Sequence, residues 1–168
     1  MRINRMTIGA MLFAAFSAVG GAASEKDASA SVAFERLKAL VGEWKSVDGK
    51  DGLTYELIAG GTAVLERETS PSRPAMVTLY HRDGARLLLT HYCMAGNQPR
   101  MVAKPFDPKT GELAFEFLDA TNLAAPSAGH MRDVRIRFVD ANHIESEWRF
   151  YENGTPKMTE RARYARVR

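Results

Sequence analysis

Beyond Gly42 the chain reads as short runs in which apolar and polar residues alternate, the period of a half-buried strand. Turn-forming residues divide the runs: Lys50-Asp51-Gly52, Gly60-Gly61, Asp83-Gly84, Asp107 to Gly111, Asp140-Ala141-Asn142 and Asn153-Gly154. About ten strand-like runs lie between them, a spacing that predicts an all-β, antiparallel up-and-down barrel. Ahead of the runs, Phe34, Leu37 and Val41 recur at helical spacing, with Ser31 placed to cap and Gly42 to stop a short N-terminal helix. No second helix of useful length is written in the pattern, which argues against a parallel α/β fold.

The pattern also sets register. A three-residue loop at Asp140 to Asn142 pairs Phe138 with Ile144, Ile136 with Ser146 and Val134 with Trp148 on one face. The other face then pairs Arg137 with Glu145, Arg135 with Glu147 and Asp133 with Arg149, and cross-strand opposite charges are favourable. A one-residue slip destroys both patterns. A five-residue loop, Glu152 to Pro156, pairs Phe150 with Met158, Ile144 with Tyr164, Glu147 with Arg161 and Glu145 with Arg163. It also turns Glu160 inward, opposite Trp148. A two-residue turn at Asp83-Gly84 pairs Tyr80 with Leu87 and Thr78 with Leu89. The face carrying His91 is taken as inward, although both faces of this hairpin are partly apolar.

The first 23 residues read differently. Arg2 and Arg5 precede an uncharged run from Met6 to Val19, and Gly20-Gly21-Ala22-Ala23 supplies small residues for cleavage. Residues 1–23 are therefore expected to be a signal peptide, cut after Ala23, that sends the protein to the periplasm or outside the cell. The apolar run is short for a membrane span, so no stable span is expected after cleavage. Residues 24–30 are small and polar and read as a flexible linker, leaving 31–168 as the barrel domain. Of the formal net charge of +3, the two arginines of the leader supply +2, and the rest alternate in sign without a basic block. Nucleic acid is not an expected partner. Cys93 is the only cysteine, so the fold has no internal disulfide and the thiol is expected to be mostly buried.

The segment Leu40-Val41-Gly42-Glu43-Trp44, a helix end followed by Gly-x-Trp and a meander of strands, resembles the calycin group of lipocalins, fatty-acid-binding proteins and nitrobindins. That resemblance covers residues 31–168 and implies a structural place for Trp44 at the closed end of the barrel, beneath the helix. Met76-Val77-Thr78-Leu79-Tyr80-His81, Thr90-His91-Tyr92-Cys93 and Asn97-Gln98-Pro99-Arg100-Met101 are similar to stretches of secreted bacterial lipocalin-like proteins of unknown function. More distantly, nitrobindins hold haem through one late histidine and carry Gly-x-Trp-x-Gly-x-Gly. Here Lys45, Ser46 and Val47 follow Trp44, so the later glycines are missing, and the late His143 faces outward in the register above. No cofactor is expected.

A barrel of this size either holds one small ligand or is filled by its own side chains. The polar groups expected inside are Tyr80, His91, Arg132, Trp148 and Glu160, with Asn97 and Arg100 on a mouth loop. The walls fall to Leu89, Phe115, Phe117, Ile136, Phe138 and Trp148. An apolar wall with few polar handles fits a small, partly apolar ligand. Each handle also has a plainer role: His91 as a core histidine bonded to a partner such as Tyr80, Glu160 in an ion pair with Arg132, Cys93 as a small hydrophobe. The four histidines lack metal-ligand spacing and no catalytic constellation is recognisable. Small-ligand binding is the first reading and a filled barrel acting as an interaction module the second. A haem-binding protein and an enzyme working inside the barrel are more distant.

Overall fold

A computed structural model describes residues 19–167. One helix, α1 (Val19–Lys38), precedes ten strands: β1 (Gly42–Ser46), β2 (Gly52–Ile58), β3 (Ala63–Ser70), β4 (Arg73–Asp83), β5 (Arg86–Tyr92), β6 (Gln98–Ala103), β7 (Glu112–Thr121), β8 (His130–Phe138), β9 (His143–Glu152) and β10 (Thr155–Arg166). Each strand pairs antiparallel with the next and β1 closes on β10, so the sheet is a closed ten-stranded barrel with no free edge. The expected fold class is the observed one.

The β8–β9 and β9–β10 hairpins keep the predicted pairs, including Val134 with Trp148, Arg137 with Glu145, Glu147 with Arg161 and Glu160 with Trp148. Outside, Glu145 sits between Arg137 and Arg163, whereas Glu147 bonds Arg161 and its own-strand neighbour Arg149 rather than Arg135. The β4–β5 hairpin departs from expectation. Its turn is Gly84-Ala85, with Gly84 at φ 55, and the pairs are Tyr80 with Leu89 and Thr78 with His91. The register thus lies two residues from the predicted one. An even shift preserves the faces, and Met76, Thr78, Tyr80, Leu87, Leu89 and His91 are all buried.

The helix also starts earlier than expected and takes in residues 24–30, the expected linker. Tertiary contacts explain this. Arg82 bonds Asp27 and the Ser31 hydroxyl, the Phe106 amide donates to Ser29 Oγ at 3.1 Å, and Ala30 and Ala33 pack into the core. Ser31 is therefore inside the helix and not its cap. The rest of the expected signal peptide, residues 1–18, lies outside the described residues. No helix among the described residues is long and apolar enough to cross a membrane.

These contacts seat α1 over one end of the barrel. Phe34 and Leu37 enter the core above Trp44, whose Nε1 donates to the Leu40 carbonyl at 2.8 Å while Arg166 covers the indole face. That end is closed by apolar packing. The opposite end, formed by the β1–β2, β3–β4, β5–β6, β7–β8 and β9–β10 turns, is lined by polar groups.

Candidate functional site

The inward residues nearest the open end come from alternate positions of seven strands: Leu53 and Tyr55, Glu66 and Glu68, Met76, His91, Met131 and Ile136, Ser146 and Trp148, Glu160, Ala162 and Tyr164. They enclose a cavity of about 20 Å³, which is room for one water. The barrel is nearly filled, and what remains of its interior is polar on one side.

His91 is buried. Its Nδ1 lies 3.0 Å from Thr78 Oγ1 on the paired strand, and its ring stacks 4.7 Å from the Trp148 ring. The distal Nε2 has no hydrogen-bond partner among the described residues and His91 borders the cavity. Burial lowers its pKa to about 4, so the ring is neutral near neutral pH. Its partner is Thr78, not the expected Tyr80. Tyr80, fully buried, donates instead to Glu66 Oε2 at 2.7 Å. Burial holds the Glu66 carboxyl above its ordinary range although this bond opposes the shift.

Glu160 faces inward as expected but meets Arg73, at 2.5 Å, rather than Arg132. Arg73 also bonds Glu68 and lies 3.9 Å from Asp51, so one guanidinium ties three segments across the mouth. Burial is the main cause lifting the Glu68 carboxyl to about 7; Glu160 and Glu66 add to it and Arg73 only partly offsets it. The alternation Val64-x-Glu66-x-Glu68 on β3 carried a readable signal for two inward carboxylates. Arg73 had none, because Ser70-Pro71-Ser72-Arg73-Pro74 reads as a plain connection.

Three expected handles lie elsewhere. Arg100 alternates with the buried Pro99 and Met101, so it faces outward and pairs with Asp119. Arg132 is the unmatched residue of a bulge between Met131 and Asp133, exposed on the rim over the Phe117 and Tyr151 rings. Asn97 is buried, but its amide donates to the Gly129 carbonyl at 2.8 Å and braces the β5–β6 turn. Of the walls, Leu89, Phe115 and Ile136 are buried in the core, and Phe138 and Trp148 pack against it half-buried. Phe117 is half-buried at the rim against His130. Cys93 is half-buried, and His143 is exposed against Asp140.

No known protein family matches the sequence, and no curated protein matches it either. Several solved structures resemble the fold, and two of them illustrate the likeness. One is a protein of unknown function of the DUF3598 family from Nostoc punctiforme: TM-score 0.53, 14% identity, covering 78% of this chain and 49% of that one. The chain thus spans about half the length of the Nostoc protein. The other is Rv2717c from M. tuberculosis, with TM-score 0.53 and 14% identity, covering 81% of this chain and 98% of that one. At this identity the likeness concerns the fold alone.

Proposed function

We propose that this chain is an exported binding protein with a lipocalin-like barrel, which takes a small, partly apolar molecule at its open end. The observation that carries the reading is the unpartnered Nε2 of His91, buried on a cavity lined also by Trp148 and three carboxyl groups. A buried polar atom without a partner costs free energy, and a bound molecule would supply the missing bond. A half-buried tryptophan and a few polar handles at a barrel mouth suit such a ligand. Cleavage after Ala23 is compatible with this, since it would keep Asp27 and the other described residues that seat α1. A second reading, the filled barrel that works through its outer surface, is favoured by the cavity of only about 20 Å³.

Mass spectrometry of protein purified from its own cells separates the two. Under denaturing conditions the expected chain begins near Ser24, and a chain retaining Met1 would contradict export. Under native conditions a small-molecule adduct is expected. A native mass equal to the bare chain, with no melting shift across a small-molecule library, would favour the filled barrel.

A further inference from the structure

The open end holds a cation already, and that cation belongs to the protein. Glu68 and Glu160 both bond the Arg73 guanidinium, Asp51 stands 3.9 Å from it, and Glu66 lies one inward position deeper on β3. Three carboxyl groups thus face a single guanidinium, and the fourth, Glu66, is bonded to Tyr80 behind them. The carboxylates of Glu66, Glu68 and Glu160 are fixed on strands in mid-barrel register. Arg73 comes from the tip of the β3–β4 hairpin, opposite Ser70, where the register shifts and Pro71 and Ser72 are exposed. Three of the anionic groups thus stand on strands, and the cation comes from the first residue of β4, beside the hairpin turn.

We propose that the open end binds an organic cation, an ammonium or amidinium-type head on a flat apolar body, in the place now taken by the Arg73 guanidinium. This rests on reading the chain as a binding protein. The cavity as it stands admits one water, and two of its lining carboxylates are held by Arg73, so the proposed ligand takes them over as Arg73 leaves. A cation replaces the charge that Arg73 takes away. A neutral molecule would leave Glu68 and Glu160 without their counter-charge, a costly state for partly buried carboxylates. An anion would add to the repulsion. Trp148 and Tyr164 line the same cavity and offer the flat body an aromatic wall, and indole is the best of the aromatic faces for a cation.

His91 completes the match. When its Nδ1–H donates to Thr78 Oγ1, Nε2 presents a lone pair at the cavity. This is an acceptor, and an ammonium or amidinium carries N–H donors to spare. The half-satisfied state of the carboxylates agrees: Glu68 titrates at about 7 with Arg73 against it, because burial outweighs what one guanidinium gives back.

The test uses three probes of one shape: benzamidine (cation), benzamide (neutral) and benzoate (anion). Each is titrated into the wild-type chain and Arg73→Ala at pH 8, followed by tryptophan fluorescence and melting temperature. Trp148 reports on the site, and the other tryptophan, Trp44, is buried at the closed end. Benzamidine should bind Arg73→Ala at least tenfold more tightly than wild type and raise its melting temperature. Adding Glu160→Gln should abolish that gain. Arg73→Gln, which keeps more side-chain volume, serves if the alanine variant does not fold. Benzamide or benzoate binding as tightly as benzamidine would overturn the cation assignment and leave the binding-protein reading in place. Equal benzamidine affinity in wild type and both Arg73 variants would also overturn it. The native-mass measurement judges the binding reading separately.

Discussion

Burial acts in opposite senses on Glu68 and His91, raising one to about 7 and lowering the other to about 4. Between about pH 4.5 and 7 the folded chain keeps Glu68 protonated while the unfolded chain has ionised it. The folded state binds more protons there, so this group makes stability fall as pH rises. Between about pH 4 and 6.5 the unfolded chain protonates His91 and the folded chain does not, so this group makes stability rise with pH. Each contribution is worth about 3 kcal/mol across its window, and the two windows overlap and offset one another. Removing either group should expose the other. Relative to wild type, Glu68→Gln should gain stability as pH is raised from 4.5 to 7, and His91→Gln should lose it as pH is raised from 4 to 6.5. Urea melts at half-unit pH steps read both differences, and profiles parallel to wild type would place neither group in a buried, shifted state.

The strands show how far the pattern alone carries. β8, β9 and β10 were legible because apolar residues and charge pairs demand the same register, and no slip satisfies both. The β4–β5 hairpin was legible only in its faces: Leu79 and Leu88 make its outer side apolar too, so only the turn set the register, and the turn lies one residue later than Asp83-Gly84 suggests. Bulges cannot be read from alternation, and one of them moved Arg132 out of the site. The early part of α1 was illegible for another reason. Its Ala and Ser residues carry no strong periodicity, and Arg82 and the Phe106 amide hold them from a distance in sequence. Gly111 presents the converse case, a small residue whose place is strict. It sits at φ 71, and a Cβ there would meet the Phe138 carbonyl oxygen at 2.7 Å. Backbone cannot yield as a side-chain tip can. Gly111→Ala should therefore cost about 2 kcal/mol or more, and an unchanged urea midpoint would show that this turn relaxes freely.

The two ends of the barrel differ in what lines them, apolar packing at the helix end and polar groups at the open end. At the helix end Leu37, fully buried, packs in the same core cluster as Phe34, Leu40 and Trp44. At the open end Trp148 has twice the apolar bulk but is only half-buried, beside His91 and across from Glu160. Volume alone would make the tryptophan the more costly deletion. Burial reverses the order if the open end is a site rather than a core, since water can fill the space beside polar groups and cannot usefully enter an apolar one. Leu37→Ala should cost about 2–5 kcal/mol, and Trp148→Ala should cost less than Leu37→Ala while increasing uptake of a hydrophobic dye. Urea melts of the two variants, with dye fluorescence in native buffer, make the comparison. A Trp148→Ala loss that exceeds the Leu37→Ala loss, with no dye uptake, would mean that both ends are core and that whatever this barrel recognises meets its outer surface.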